Sequence, residues 1–154
     1  MLRGTHEHAV DQKGRIALPI RFREELKRLY RNESVVITVH LTDPCLVVYP
    51  LTEWENFEKR LSKFPQFEPT LMALRRSYLS RAEQLTLDKQ GRLLIPPKLR
   101  AAAAIERDAV WAGQSLFAEL WAKDKHEQLV EPLRSKIAAG ELPNVLQKLA
   151  ELGI

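Results

Sequence analysis

Asp11-Gln12-Lys13-Gly14-Arg15-Ile16-Ala17-Leu18-Pro19-Ile20-Arg21-Phe22-Arg23 returns, half the chain later, as Asp88-Lys89-Gln90-Gly91-Arg92-Leu93-Leu94-Ile95-Pro96-Pro97-Lys98-Leu99-Arg100. Asp, Gly, Arg, Pro and the last Arg recur at matching positions, and the apolar sites are matched in kind. An internal repeat of this length means two copies of one structural unit, packed face to face. Each copy carries a basic cluster on a tight turn. Two such turns related by pseudo-symmetry suit a repetitive polyanion better than a single small substrate.

The pattern around each motif predicts an α+β fold. Thr5 to Val10 reads as a strand, Asp11 to Gly14 as a turn, and Arg15 to Leu18 as the returning strand. Gly14 and Gly91 supply the positive φ that short turns demand, and the Asp11 and Asp88 carboxylates can accept turn N–H groups. Pro19 opens a helix whose apolar stripe is Phe22, Leu26, Leu29 and Tyr30. Val35 to Leu41 and Cys45 to Tyr49 read as strands around Thr42-Asp43-Pro44. Thr52 and Glu55 match a capping box for a helix bearing Trp54, Phe57, Leu61 and Phe64. After a break at Pro65 to Pro69, the spacing predicts a helix over 70–81. The second copy replays the order: strands at Gln84 to Leu87 and Arg92 to Ile95, a short helix through Ala104, strands at Ala109 to Ala112 and Leu116 to Trp121, and a helix at Asp124 that Pro132 should kink or end. Pro143 to Leu152 reads as a final helix with Gly153 as its stop. The expected organisation is a first repeat at 1–67, a connecting helix at 68–82, and a second repeat with C-terminal helices at 83–154.

Charge concentrates on the repeat. The 154-residue chain has a net charge of +4 and a pI of about 9.3, which is only moderately basic. Lys13, Arg15, Arg21 and Arg23 stand against one acid in the first motif, and Lys89, Arg92, Lys98 and Arg100 against one in the second. The remainder of the chain is therefore slightly acidic. Asp11–Arg15 and Asp88–Arg92 pairing across the turns is the bland account, and such surface pairs are worth only about 0–1 kcal/mol. It explains the Asp and Gly, but not why further Lys and Arg gather at both helix starts. A basic ribbon edge is a sound phosphate-binding arrangement, and Arg reads guanine O6 and N7 bidentately. The eight basic residues are the expected nucleic-acid contacts, with Asp11, Gly14, Asp88 and Gly91 shaping the turns.

Other chemistry is poorly supported. The sequence has no Gly-x-Ser-x-Gly elbow, no phosphate loop and no His-Glu-x-x-His, so a catalytic site is not expected. Cys45, the single cysteine, lies in an apolar strand, a poor setting for a thiolate. His6 and His8 alternate on a strand but lack further ligands at metal spacing, so neither a metal nor a cofactor is expected. The aromatic residues follow helix or strand periods and read as core or subunit interface. Arg75, Arg76 and Arg81 read as a solvated helix face, with a contact to neighbouring DNA as the weaker alternative. No apolar run spans a bilayer, and the opening residues lack a signal-peptide core, which makes the cytoplasm the expected location.

Asp-x-Lys-Gly-Arg followed by an Ile-x-Leu-Pro-like strand resembles the swapped-hairpin AbrB-type DNA-binding domain. Two copies in one chain of this length resemble the MraZ family of bacterial transcriptional regulators. So do Met1-Leu2-Arg3-Gly4, Pro44-Cys45-Leu46-Val47-Val48-Tyr49-Pro50 with Trp54, and Gly91-Arg92-Leu93-Leu94-Ile95-Pro96. The resemblance implies a pseudo-two-fold double-split (swapped-hairpin) β-barrel with flanking helices. It implies a ring-shaped, nucleoid-associated homo-oligomer on double-stranded DNA. The target implied is short direct repeats upstream of its own gene, at the head of the cell-division and cell-wall gene cluster, which the family usually represses. Carried over by position, the DNA-contacting motif falls on Asp11, Lys13, Gly14 and Arg15, with Asp88, Gly91 and Arg92 in the second copy. Gln90 stands where the first copy has Lys13, so unequal contributions are expected. The competing reading is an antitoxin-like protein-interaction module, since related domains hold a partner protein as well as DNA.

Overall fold

The first copy begins with β1 (Thr5–Ala9), the turn at residues 11–14, and a three-residue β2 (Arg15–Ala17). Ile16, in the middle of β2, is fully buried. Pro19, at φ −51° and ψ 139°, leads into helix α1 (Ile20–Glu25), which runs on as a π-helical turn over Leu26–Tyr30. Arg31 ends that turn in the left-handed region, at φ 51°. The structure, a computed structural model, describes residues 1–153. The wider winding of the π-turn explains one departure from the expected stripe. Phe22 and Leu26 are buried, but Leu29 is rotated out and exposed.

Strands β3 (Ser34–Val39) and β4 (Cys45–Pro50) form an antiparallel hairpin. Their β-branched residues suit a sheet buried on both faces. Helix α2 (Leu51–Leu61) follows β4 without a loop, with Pro50 as its N-cap. Thr52 therefore lies inside the first turn, and the capping box expected at Thr52 and Glu55 does not form. The fixed φ of Pro50 sets the entry in its place. Helix α3 (Pro69–Ser77) is capped by Glu68, whose carboxylate accepts N–H groups of Thr70 at 3.1 Å and Leu71 at 2.8 Å. These donors hold the Glu68 carboxyl below its ordinary range, the Leu71 N–H foremost. The predicted helix over 70–81 stops at Tyr78. That residue is buried, and its carbonyl accepts a 2.8 Å hydrogen bond from the wholly buried Thr38 hydroxyl. A 3₁₀ turn, Leu79–Arg81, then leads into β5 (Glu83–Thr86).

The second copy has β6 (Arg92–Leu94), α4 (Pro97–Ala102), β7 (Asp108–Gly113) and β8 (Ala118–Ala122). Pro96 repeats the geometry of Pro19, at φ −55° and ψ 136°. Residues 1–123 make one unit, and the helices from Asp124 onward make another. The latter unit contains most of α5 (Lys123–Leu129), with α6 (Leu133–Ala138) starting directly after Pro132, and α7 (Pro143–Glu151). Pro132 thus separates two helices, as its missing N–H requires.

Six strands form one antiparallel sheet in the order β1-β7-β8-β4-β3-β5, and β2 and β6 form a separate two-stranded ribbon. The order is palindromic in the two copies. Each copy's β3–β4-type hairpin meets the other at β4 and β8, and each copy's first strand pairs with the third strand of the other. The sheet ends at β1 and β5 and does not close, so the barrel expected from the resemblance is not formed as one continuous ladder. Only three residues of β2 and of β6 pair, because the turn on one side and the proline on the other leave no room for longer strands.

The main core lies between sheet and ribbon and draws equivalent residues from both copies. Ile16, Leu18, Phe22 and Leu26 meet Leu93, Ile95, Leu99 and Ala103 there. Trp111 is fully buried on the sheet, and its indole N–H donates to Ala17 O at 3.1 Å, tying sheet to ribbon. A second cluster holds Val36, Val47, Trp54 and Tyr78, with Tyr49, Phe57 and Phe117 against it. The Tyr49 ring lies 5.7 Å from that of Trp54 and 5.0 Å from that of Phe117, in tilted contacts that seat the half-buried Tyr49 and Phe117 against the buried Trp54.

Candidate nucleic-acid interface

Each turn is built by one aspartate. Asp11 Oδ1 accepts the N–H groups of Lys13 and Arg15, both at 2.9 Å, and Oδ2 accepts Arg15 Nε at 2.7 Å. Asp88 repeats this with the N–H groups of Gln90 and Arg92 at 2.9 Å and with Arg92 Nε at 2.8 Å. The carbonyls of Asp11 and Asp88 accept the N–H of Gly14 and Gly91, at 3.0 and 2.9 Å. These donors stabilise the ionised form, so both carboxyls sit below the ordinary carboxylate range, the arginine backbone N–H being the largest cause. Gly14 and Gly91 take φ of +84° and +75°, which a Cβ would strain.

The turns are stitched together. Ile95 N–H donates to Gly14 O at 2.9 Å, and Leu18 N–H donates to Gly91 O at 3.0 Å. Between them the ribbon pairs Arg15 with Leu94, Ile16 with Leu93, and Ala17 with Arg92. Ile16 and Leu93 point inward and are fully buried. The two-residue period of a strand therefore turns Arg15, Ala17, Arg92 and Leu94 to the opposite, outer face.

The two arginines differ in what they have left to offer. Among the described residues the Arg15 side chain bonds only through Nε, which fixes its plane and leaves both terminal amino groups for an external acceptor. Arg92 donates Nε to Asp88 and Nη2 to Gln90, and its Nη1 lies 4.0 Å from Asp11 Oδ2. Lys13 and Lys89 are exposed on their turns. Arg21 and Lys98 are exposed at the starts of α1 and α4. Arg21 borders a cleft of about 490 Å³ that Arg3, Phe22 and Arg28 also line. The ribbon therefore carries Lys13, Arg15, Lys89 and Arg92 together, with Arg21 and Lys98 on the adjoining helix starts.

Arg23 and Arg100 are placed differently. Both are half-buried. Their guanidinium groups lie against the glycine of the opposite copy's turn, Arg23 on Gly91 and Arg100 on Gly14. Charge alone could not separate them from the other six. Two residues outside the expected set belong to this surface. Leu94 is 57% exposed on the outer face, where strand alternation alone would have put it. Gln90 anchors Arg92, and its mismatch with Lys13 was the one sequence signal that set it apart.

Neither histidine of β1 sits in a ligand cluster. The His6 ring lies edge-on to Phe22 at 5.3 Å. Burial, then the nearby His6 and Arg23, pushes His8 below its ordinary value. Among the described residues no three His, Cys, Asp or Glu side chains are grouped to hold a metal, and no helix is long and apolar enough to cross a membrane. Cys45 is buried, and burial drives its thiol pKa upward, as for a core residue.

The family described as "MraZ protein, putative antitoxin-like" matches the chain twice, at residues 1–77 and 78–141. The chain belongs to the MraZ family. A protein of Halorhodospira halophila named transcriptional regulator MraZ is 40% identical over 152 residues, 97% of this chain and 99% of its own length. The proteins of that name from Caldanaerobacter subterraneus subsp. tengcongensis and Marinomonas sp. are 43% identical over 128 residues and 37% over 142. The first alignment covers 83% of this chain and 85% of the relative, the second 92% and 93%. MraZ membership thus extends over both copies of the motif.

Proposed function

We propose that this protein is a sequence-specific DNA-binding transcriptional regulator that represses its own operon in the cell-division and cell-wall gene cluster. The observation that carries the reading is the Asp11–Arg15 lock. An arginine held through Nε on the outer face of the ribbon, with its two amino groups uncommitted among the described residues, is prepared for bidentate recognition of a guanine edge. Holding it in advance spares the ordering entropy on binding. Lys13, Lys89, Arg21 and Lys98 contact phosphates and set the register, and Arg92 supplies a second, weaker contact. The names of the relatives support a regulator.

In this reading the two repeats, 1–67 and 83–154 joined by 68–82, complete the swapped-hairpin arrangement. Several copies assemble as a ring on promoter direct repeats. One copy offers few phosphate contacts, and evenly spaced sites add effective concentration without new kinds of contact. The protein acts in the cytoplasm, on the nucleoid.

Fluorescence anisotropy on DNA from upstream of its own gene, against scrambled DNA and across a salt series, tests this. Tight, steeply salt-dependent binding to the upstream DNA alone, lost in Arg15→Ala, supports it. Equal, weak binding to both DNAs sinks it and favours the second reading. In that reading, suggested by the antitoxin-like description of the family, the protein holds a protein partner.

A further inference from the structure

We propose that Arg100 is the positioning residue for the Arg15 turn, and Arg23 for the Arg92 turn, so that the short helix after each copy's ribbon strand holds the other copy's recognition turn in place. The DNA consequence rests on the function proposed above. The latch itself does not.

The geometry is reciprocal. A Cβ built on Gly14 would stand 2.9 Å from Arg100 Nη2 and 3.0 Å from its Cζ. One built on Gly91 would stand 2.6 Å from Arg23 Cζ and 2.7 Å from its Cδ. Each guanidinium therefore packs on a bare glycine, and a side chain at either position would have to displace it. The glycines serve two needs at once, the positive φ of the turn and the approach of the opposite arginine.

For Arg100 the contact closes a loop of bonds. Its Nε donates to Ile95 O at 3.2 Å, and Ile95 N–H donates to Gly14 O at 2.9 Å. Ile95 is thus held at both ends between the arginine and the glycine that arginine covers. Asp11 makes the turn rigid internally, and the ribbon on one side and Val10 on the other, its N–H donating to Arg107 O at 2.8 Å, tie it to the body of the fold. Arg100 supplies a further support, the one that rests on the turn's glycine itself. Half-buried and with Nε already committed, it is better placed to brace the turn than to reach a phosphate. Arg23 makes the equivalent approach, with its Nε buried and making no hydrogen bond among the described residues, so the brace on the second turn is the weaker one.

The test uses the full-length protein, with Arg100→Ala and Arg100→Lys beside the wild type. Backbone amide hydrogen exchange and salt-dependent anisotropy on upstream and scrambled DNA are measured for each. The expected result crosses the copies. Exchange speeds up at Ile95 and Arg15 while Leu18 and Gly91 stay protected. Affinity for upstream DNA falls about tenfold, within what a bidentate arginine–guanine contact is worth, and the salt slope and the affinity for scrambled DNA do not change. Lysine does not rescue, because it lacks the planar fork. A slope lower by about 0.9 would make Arg100 a direct phosphate contact and overturn the proposal. So would unchanged exchange at Ile95 and Arg15. If neither Arg100 variant folds, Arg23→Ala decides: it must loosen Leu18 and Gly91 while sparing Ile95, and loosening of neither, or of both alike, defeats the latch. A wild type that fails to distinguish the two DNAs removes the functional reading, while the exchange data still decide the latch.

Discussion

Arg92 reaches across the ribbon to the other copy's turn, its Nη1 lying 4.0 Å from Asp11 Oδ2. With Asp88 and Gln90 also on the same guanidinium, the second copy's arginine is engaged on three sides, where Arg15 is engaged on one. A near-symmetric pair of turns therefore presents one arginine with both amino groups uncommitted among the described residues and one committed on three sides.

Gln90→Lys should shift that balance. It removes the acceptor on Arg92 Nη2 and restores the lysine that the first copy has at position 13. The expected outcome is tighter DNA binding and a salt slope steeper by about 0.9, one more phosphate neutralised. Anisotropy at several salt concentrations reads both. An unchanged slope would show that the second turn stays off the DNA.

Acid should open the turns within a defined window. Asp11 and Asp88 have folded pKa values held below the ordinary carboxylate value of 3.8, chiefly by the arginine backbone N–H groups. Their contribution is therefore fully present above the ordinary value and is lost as pH falls through the folded value. The Gly14 and Gly91 amide resonances should stay constant from neutral pH down to about pH 4 and move only below it. Movement centred near pH 6 would assign the transition to a histidine instead. Asp11→Asn should remove the acid transition at Gly14 and leave that at Gly91.

Much of this was legible in the sequence, because the signals were local. The Asp and Gly of each turn, the proline at each helix start, and the alternation that buries Ile16 and Leu93 all act within a few residues. The pairing of β1 with β7 and of β5 with β3 is not local, and neither is an arginine resting on a glycine from the other copy. Arg21 and Arg23 are two residues apart with the same charge, yet one is exposed and the other half-buried against Gly91. Helix rotation relative to a distant turn decides between them, and a charge count cannot see it. The capping box failed for a local reason, since Pro50 starts the helix before Thr52 is reached.

Ile16 and Leu93 face each other at the middle of the ribbon, both fully buried. Replacing either with Ala should cost about 2–5 kcal/mol, the lost transfer energy plus the cavity. Because the two share one cavity, the double variant should cost less than the sum of the singles. Denaturant unfolding of the three variants measures this. Simple additivity would mean that the two side chains pack in separate spaces.

Thr38 tests the joint between the sheet and the end of α3. Its hydroxyl is wholly buried and donates to Tyr78 O at 2.8 Å, where the helix stops. Thr38→Val keeps the shape and the strand preference but leaves that carbonyl without its donor. An unsatisfied buried acceptor costs about 1–3 kcal/mol. The loss should appear in thermal unfolding and in faster exchange over residues 78–82, with DNA affinity per folded molecule unchanged, because the turns are held by Asp11, Asp88 and the ribbon rather than by α3. A Thr38→Val protein as stable as wild type would mean that water or a neighbouring donor replaces the hydroxyl at the helix end. A stable variant that had lost DNA affinity would instead tie α3 to the recognition surface.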